Sequence, residues 1–304
     1  MNITYNSNRE KLITFTVPEN CDRIDAKTFL RKYCELSART LSKLKRTKLG
    51  ITRNNELLKT TDLLSAGDVV VLSLPDDVNE ITPIEGKLNI LFEDEYIMVV
   101  DKPPMMPVHP TKIHQEDTLA NIVSFYMCEK GEYYTFRAIN RLDRDTSGCL
   151  LLAKDRYCAN SLPNTVSKEY VAVCEGEIKE SGTVDKPIKV MEGRSIQRVV
   201  ADDGARSVTH YFPLMYKNGH TLTRFILETG RTHQIRCHMS SIGHPLAGDD
   251  MYFGSLEYIS RQALHCRKVS FIHPITSEKI VVESKVPSDL CSVLLEDNVE
   301  VCFT

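Results

Sequence analysis

The sequence lacks the features of several protein classes. Its ten cysteines include no C-x-x-C pair, although such closely spaced pairs are usual in zinc and redox motifs. No apolar run approaches the roughly 20 residues that a membrane-spanning helix needs, and the opening stretch MNITYNSNREKLITF has no basic-then-apolar signal pattern. We therefore expect a cytoplasmic protein with reduced cysteines and no membrane partner.

The loops of several common enzyme classes are also missing. There is no GxGxxG or GxxxxGK[ST] phosphate loop, no GxSxG nucleophile turn and no HExxH zinc motif. Nucleotide-driven and serine-hydrolase chemistry are therefore unsupported. The formal net charge of −3 argues against nucleic-acid binding over the whole surface, so any such binding must depend on local clusters of basic residues.

One such cluster lies near the N-terminus. The segment RTLSKLKRTKLGITR, residues 39–53, contains six lysines and arginines and no acid, and its pattern predicts a helix beginning near Ser37. Leu41 and Leu44 would point inward, while basic residues would share an outer face. The candidate RNA-binding residues of this cation stripe are Arg39, Lys43, Lys45, Arg46 and Lys48. The sequence alone leaves open whether the stripe is a solvated surface or a surface for a polyanion.

The order of elements predicts an α+β fold. We expect a small unit over residues 1–75, a linker over 76–87 and a larger domain over 88–304. In the larger domain, short strand-like runs outnumber helices without regular βαβ alternation, which indicates a largely antiparallel mixed sheet flanked by helices and loops. These runs are FRAIN, CLLLA, EYVAVCEG, VTHYFPLM, TLTRFILE, KVSFIH and KIVVES.

The segment RLDRDTSG, residues 141–148, places Asp143 between two arginines just before the apolar run CLLLA. A carboxylate there must be paired, because an unpaired ion in an apolar setting costs several kcal/mol or more. Taken alone, the octapeptide is most simply a turn, with Arg141 and Arg144 as ordinary ion-pair partners. A catalytic role for Asp143 therefore needs support from the rest of the chain.

The second informative segment is ETGRTHQIRCHMSSIGHPLAGDDMYFG, residues 228–254. Its pattern predicts a helix over about 232–242, closed by a glycine. Arg231, His233 and Arg236 fall in or just before the first turn, where backbone amides and the helix dipole favour anions. A phosphate or a carboxylate would fit there.

A metal site is the competing interpretation of this segment. His233 and Cys237 are one helical turn apart, and His238 and His244 lie nearby. However, the two neighbouring arginines would repel a cation, and the chain offers no second ligand cluster with a recognised spacing. An RNA contact or an ordinary hydrogen bond is the simpler explanation for these histidines.

Four segments in sequence order resemble the RluA family of RNA pseudouridine synthases: RLDRDTSG, KEY, GRTHQIRCHMSSIGHPLAGDDMY and ALHCRKVSFIHP. The likeness extends from about Leu88 to Leu294, and residues 21–75 resemble the small basic RNA-binding domain that often precedes the family's catalytic domain. The resemblance implies an isomerase that acts on uridines in structured RNA without a metal or organic cofactor. It points first to large-subunit ribosomal RNA and second to transfer RNA. Nothing in the sequence suggests an obligate oligomer, so we expect a monomer.

The resemblance also assigns site residues. It puts the catalytic aspartate at Asp143, the active-site tyrosine at Tyr170 and the arginine that pairs with the aspartate at Arg236. An adjacent guanidinium would keep the buried carboxylate ionised. The tyrosine would offer a flat face to the displaced base and a hydroxyl that helps to remove the ring proton.

Further RNA contacts follow from the same resemblance. A stacked uridine must be flipped into the pocket at a cost of a few kcal/mol, and Arg141 corresponds to the arginine that inserts near the flipped nucleotide. Arg231 and His233 are candidates for RNA backbone contacts. The cation stripe would add phosphate affinity that weakens with salt.

The chain departs from the family pattern at three places. Asn140 stands where a histidine is usual, and Met105 replaces a common glycine. The segment before Tyr170 is about five residues shorter than usual, with Pro163 interrupting a helix. The shortened segment and the basic N-terminal unit keep an alternative in view, a non-catalytic RNA-binding or ribosome-assembly protein that retains the fold. A metal-dependent hydrolase that uses the histidines is the third hypothesis.

Overall fold

A computed structural model describes residues 2–5, 11–34, 36, 38–74, 81–132, 134–193 and 196–294. Within these ranges, no helix has both the length and the apolar character needed to span a bilayer. The first part of the linker expected at 76–87 lies outside them, because residues 75–80 are not described.

The N-terminal residues form a sheet of their own. Its strand order is β1-β2-β7-β4-β5, with antiparallel pairs throughout, and β3 pairs with β6 beside it. The strands are β1 (Asn2–Tyr5), β2 (Lys11–Thr16), β3 (Ile24–Asp25), β4 (Ile51–Arg53), β5 (Glu56–Leu57), β6 (Leu63–Leu64) and β7 (Val69–Leu74). Helix α1 (Ala26–Thr28) continues as a π-helical turn over Phe29–Tyr33, and helix α2 is Ala38–Arg46.

Helix α2 carries the cation stripe predicted from the sequence. Leu41 and Leu44 are buried, whereas Lys45 and Arg46 are exposed, so the helix separates an apolar inner face from a basic outer one. Lys43 is half-buried, and Lys48 is exposed just beyond the helix end. The backbone of Arg39 lies in the helix, but its side chain is outside the described part of the structure.

The larger part of the chain is organised around a nine-stranded sheet. Its order is β12-β15-β16-β11-β17-β10-β9-β8, with β18 paired to β17. The strands are β8 (Ile90–Glu93), β9 (Ile97–Lys102), β10 (Ser147–Ala153), β11 (Ser167–Glu175), β12 (Gly182–Asp185), β15 (Val208–Lys217), β16 (His220–Leu227), β17 (Leu264–Ile272) and β18 (Lys279–Glu283). Strands β13 (Ile188–Val190) and β14 (Arg198–Val200) pair separately. Among the described strands only β10 and β17 run parallel, so the prediction of a largely antiparallel mixed sheet is confirmed.

Four helices accompany this sheet: α3 (Leu119–Lys130), α4 (Arg156–Ser161), α5 (Gln234–Ser241) and α6 (Ser288–Val293). Strand β10 is buried along its whole length. Its sequence SGCLLLA does not alternate between apolar and polar residues, as expected for a strand that is covered on both faces. The active-site loops lead into and out of this central region.

The prediction of a strand at FRAIN is wrong. Residues 136–140 make only a single bridge, between Ala138 and Leu152. Asn140 explains the difference, since its side-chain amide donates to the carbonyl of Cys149 over 3.0 Å and accepts from the amide of Leu151 over 2.8 Å. The residue that replaces the usual histidine thus takes backbone groups of β10 that a neighbouring strand would otherwise use.

The shortened segment before β11 leads into a strand that pairs on both sides, with a shift in its register against β17 between Glu169 and Tyr170. Helix α4 ends at Ser161, and Pro163 lies in the 3-10 turn Leu162–Asn164 that follows, as the proline's missing amide requires. Tyr170 then pairs with Phe225 on one side and Cys266 on the other. Its register is therefore set by two neighbouring strands.

Lys102 is a fully buried lysine at the end of β9. Its ammonium group donates to the carbonyls of Pro103, Met106 and Arg144 over 2.7, 2.9 and 2.8 Å. It thereby joins the loop after β9 to the loop that contains Asp143. Burial lowers the pKa of Lys102 from 10.5 to about 7, because a low-dielectric setting disfavours the charged form.

We expect this lysine to make the stability of the protein depend on pH. Between pH 7 and 10 the unfolded chain binds a proton at Lys102 more tightly than the folded chain does, so stability rises as the pH increases through this window. From pH 7 to 9.5 the free energy of unfolding of the wild type should rise by up to about 3 kcal/mol relative to Lys102→Met, measured by urea titration. The exposed Lys112→Met is the matched control, and parallel curves for the wild type and Lys102→Met would contradict the prediction.

Candidate active site

Asp143 lies in the loop that precedes β10. The loop is closed by a hydrogen bond from the amide of Thr146 to the carbonyl of Asp143, 3.1 Å long. The Asp143 side chain is 17% exposed, so its carboxylate is partly desolvated and still reachable from solvent. The neighbouring Arg144 turns away and forms a two-point ion pair with Asp145.

Arg236 connects Asp143 to a second acid. One edge of its guanidinium binds both carboxylate oxygens of Asp249, with Nε–Oδ2 and Nη2–Oδ1 distances of 2.7 and 2.8 Å. Its remaining Nη1 donates to Oδ2 of Asp143 over 3.2 Å. Because the planar fork is held by Asp249, the guanidinium meets Asp143 in a fixed orientation. Asp249 is therefore a positioning residue for the pair.

The three charges compensate one another inside the protein. Arg236 is buried and the Asp249 side chain is fully buried, which would disfavour either ion alone. Burial lowers the pKa of Arg236, but the hydrogen bonds to Asp249 and the charge of Asp143 outweigh this and raise it above its ordinary value. Burial raises the pKa of Asp249, and the hydrogen bonds from Arg236 oppose that shift.

His233 forms the other side of the carboxylate site. It is the residue before α5 and has a left-handed backbone with φ 55°, which directs its ring inward. Nδ1 lies 3.1 Å from the hydroxyl of Tyr252 and Nε2 lies 3.6 Å from Oδ2 of Asp143. Burial, followed by the charge of Arg236, lowers the pKa of His233 to about 4. The ring is half-buried and neutral beside Asp143, and an RNA backbone contact at His233 stays a prediction.

Tyr170 lies on the floor of the cleft that Asp143 borders. Only 7% of the residue is exposed, and burial, followed by the neighbouring Cys266, raises the pKa of its phenol well above the ordinary value of 10. The phenol is therefore neutral at physiological pH. Such a ring can support a flat apolar partner, with its hydroxyl available as a neutral hydrogen-bonding group.

Two adjoining clefts meet at Asp143. The first has a volume of about 50 Å³ and the second a volume of about 590 Å³. The first is lined by Arg141, Leu142, Asp143, Thr146, Tyr170, Leu227, Gly230, Arg231, His233, Gln234, Ile235, Arg236 and Leu264. Arg141 and Arg198 also line the second cleft. The arrangement fits a ring-sized group in the smaller cleft and an anionic chain across the larger one.

Comparison with known proteins decides the family. The model of the RNA pseudouridylate synthase family matches residues 96–241. The Bacillus subtilis protein named uncharacterized RNA pseudouridine synthase YhcT is 38% identical over 247 residues, which are 78% of this chain and 82% of that protein. This chain belongs to the RNA pseudouridine synthase family.

Two further similarities agree with this synthase assignment. Ribosomal large subunit pseudouridine synthase D of Pseudomonas aeruginosa is 35% identical over 270 residues, 81% of this chain and 84% of that protein. A solved structure of human RNA pseudouridylate synthase domain containing 1 has a TM-score of 0.56 and 25% identity, covering 68% of this chain and 86% of that chain. The predicted pseudouridine synthase fold is therefore confirmed.

The structure of the synthase brings Asp143, Tyr170 and Arg236 around one cleft. It also leaves Arg141 and Arg231 exposed at the rim. Sequence reasoning misses the carboxylate of Asp249 and the side chains of Tyr252 and Arg198. Asp249 had one available signal, since a buried arginine at 236 needs acceptors and the motif GDDMY supplies two acids a short distance further along the chain.

The residues of the metal hypothesis do not converge in the synthase. His238 contacts the hydroxyl of Thr209 and the carbonyl of Lys186, while His244 contacts the carbonyl of Glu175. The ring of His233 instead lies between Asp143 and Tyr252. Over the parts of the chain that the structure covers, no three histidine, cysteine or acidic side chains are grouped as metal ligands.

Proposed function

We propose that this synthase uses Asp143 to isomerise uridines in large-subunit ribosomal RNA. The observation that carries the proposal is the contact between Asp143 and the anchored guanidinium of Arg236, at the junction of the two clefts. The reaction breaks the bond between ribose C1′ and uracil N1, forms one between C1′ and C5, releases the proton from C5 and takes up a proton at N1. An ionised carboxylate can add to the sugar or remove a proton from it, and the guanidinium of Arg236 donates to this carboxylate in a fixed orientation.

Tyr170 is proposed to support the detached base. The uracil must turn while it remains near the ribose, and the buried ring forms one wall of the smaller cleft. Because the phenol is neutral, its hydroxyl assists removal of the C5 proton by hydrogen bonding rather than as a phenolate. Tyr170→Phe should retain RNA binding while tritium release from C5 falls, whereas Tyr170→Ala should also lose the wall of the cleft.

Exposed arginines are proposed to hold the flipped nucleotide. Arg141 lines both clefts directly beside Asp143, which suits insertion near the vacated position in the RNA. Arg231 is exposed, and its Nε donates to the carbonyl of Arg206 over 3.2 Å, so its guanidinium is held at the rim where a phosphate would pass.

The N-terminal residues 1–75 are proposed to form a small basic RNA-binding domain. The exposed side chains of Lys45, Arg46 and Lys48 support this role, because clustered cations without interleaved acids attract a phosphate backbone. A monomeric enzyme is part of the same proposal. A ribosomal substrate would place the enzyme in the cytoplasm.

We expect charge reversal of the stripe to weaken RNA binding in a salt-dependent way. A variant with Lys45→Glu, Arg46→Glu and Lys48→Glu should raise KM about tenfold or more at low salt, with a smaller effect on kcat. The slope of log affinity against log salt should become shallower by about 0.7 for each phosphate group that the variant no longer binds. Reversal of the exposed lysines Lys179 and Lys279 is the control, and equal slopes for all three proteins would remove the stripe from the binding surface.

The substrate is tested by mapping pseudouridines in cells with and without the gene. Loss of specific large-subunit ribosomal pseudouridines, restored by the wild-type gene, is the expected result. Loss confined to transfer RNA would overturn the proposed target and leave the reaction intact. Restoration by an Asp143→Asn gene would instead support the non-catalytic alternative.

A further inference from the structure

Three bulky apolar residues, Leu49, Met105 and Phe253, adopt a backbone conformation that ordinarily favours glycine, and two of them lie beside the loops of Asp143 and Asp249, Met105 after β9 and Phe253 after α5. Phe253 has φ 73° and is 82% exposed, and Met105 has φ 59° and is 68% exposed. Neither side chain is needed to form the turn in which it lies.

The stability of the fold does not account for these residues. A left-handed backbone disfavours a side chain with a Cβ atom, whereas glycine adopts it freely. A side chain that stays exposed contributes little hydrophobic free energy to folding. Two positions at which glycine would be better tolerated therefore carry large apolar groups that contact solvent, which points to a binding role.

Phe253 projects from a rigid loop of the active site. The loop begins at Asp249, the anchor of Arg236, and includes Tyr252, whose ring centre is 5.1 Å from the Arg236 guanidinium carbon and 5.7 Å from the His233 ring centre. Gly254 fixes the next turn, because an added Cβ would lie 2.0 Å from the carbonyl oxygen of Leu246. Phe253 is thus presented from a preorganised position, which reduces the entropy lost on binding.

The same loop is tied to the wall of the larger cleft. The hydroxyl of Tyr252 accepts a hydrogen bond from the amide of Arg198, 2.8 Å long, and the carbonyl of Met251 accepts one from the side chain of Gln197. Arg198 lines the larger cleft together with Asp143. Phe253 is therefore the next residue after Tyr252, which is hydrogen-bonded to the wall of the larger cleft, where the RNA is proposed to bind.

Met105 belongs to the loop on the other side of Asp143. The amide of Met106 donates to the carbonyl of Arg144 over 3.1 Å, and Lys102 binds carbonyls of both loops. Met105 is displayed at the turn between these contacts. The two exposed residues therefore lie on separate loops, each connected to the loop or the ion pair of Asp143 by direct hydrogen bonds.

We propose that Phe253 and Met105 contact unpaired nucleobases that flank the target uridine. Phe253 would stack on one base, because every base has a flat face and single-stranded RNA is commonly bound on aromatic side chains. The polarizable thioether of Met105 would pack against another. Arginines at the cleft supply the phosphate contacts that bring these bases into reach. This inference rests on the proposed RNA reaction at Asp143. It assigns part of the selection of the RNA substrate to Phe253 and Met105.

Substitution by glycine separates binding from stability. Phe253→Gly and Met105→Gly should leave the melting temperature unchanged or raise it by about 2–4 °C. For a substrate RNA, Phe253→Gly should weaken affinity by roughly 5- to 100-fold, as expected for the loss of one stacked base, and Met105→Gly by less. Affinity is measured directly by fluorescence anisotropy with labelled RNA.

Ser277→Gly is the matched control. Ser277 is exposed, has φ 62° and lies in the turn after β17. The smaller cleft is at the opposite end of this nine-residue strand, where Leu264 forms part of its lining. The strand length puts about 25 Å between them. Ser277→Gly should change the melting temperature in the same direction without changing RNA affinity.

A second set of variants tests stacking itself. Phe253→Tyr should retain RNA affinity and Phe253→Leu should lose most of it. If the glycine variant folds poorly, Phe253→Asn replaces it, because asparagine tolerates a left-handed backbone conformation. Full affinity in Phe253→Gly, or equal affinity in the leucine variant, would overturn the proposal and favour an apolar protein contact. Tritium release by the wild type is scored separately, so failure of the proposed reaction remains distinguishable from failure of this binding contact.

Discussion

Asp143→Asn should abolish pseudouridine formation while leaving the protein folded. Loss of the catalytic carboxylate should lower the rate by at least about 10³-fold, because a neutral amide can neither add to the sugar nor take a proton from it. The substitution keeps the size of the side chain, and Arg236 retains its two hydrogen bonds to Asp249. The free energy of unfolding should therefore change by no more than about 1 kcal/mol.

The measurement is tritium release from RNA labelled at uracil C5. Asp145→Asn is the matched control, since it removes a charge two residues away that is paired with Arg144. The control should retain activity close to the wild type. Substantial release by Asp143→Asn, with normal folding and RNA binding in both variants, would show that Asp143 is not the catalytic group.

Arg236→Met should reduce both stability and activity. It leaves the carboxylate of Asp249 fully buried without its partner, which should lower the free energy of unfolding by about 3–5 kcal/mol. Loss of the charge-assisted hydrogen bond to Asp143 should also lower kcat by about 10- to 100-fold. Urea unfolding and tritium release measure the two effects on the same preparations.

A double variant separates these two effects. Adding Asp249→Leu to Arg236→Met removes the buried unpaired charge, so most of the lost stability should return. Activity should not return, because Asp143 still lacks its guanidinium partner. If activity recovers together with stability, Arg236 serves the fold alone and has no direct part in the chemistry at Asp143.

The sequence predicts local elements better than contacts between them. Its pattern favours a helix over about 232–242, and α5 occupies Gln234–Ser241. The difference at its start comes from His233, whose left-handed backbone turns the ring toward Asp143 and delays the helix. Periodicity could not reveal this turn, because the stabilising contacts come from Tyr252, 19 residues further on.

The parts of the candidate site were predictable to different degrees. Long motifs located Asp143, Tyr170 and Arg236, but the pairing of Arg236 with Asp249 depends on how the chain returns after α5. FRAIN has the composition of a strand, yet the Asn140 side chain occupies hydrogen-bonding groups of β10 and the pairing does not extend. In both cases a tertiary contact decided the outcome over a local pattern.

The parallel pairing of β10 with β17 has a consequence for synthesis of the protein. Ser147 and Gly148 align with His265 and Cys266, and the Ser147 hydroxyl contacts the His265 ring across 118 positions of sequence. A pairing this distant carries a large loop-closure cost and forms slowly. While the ribosome is still translating the region before β17, the loop of Asp143 has no strand on one side. The site proposed at Asp143 is therefore complete only after β17 has been translated.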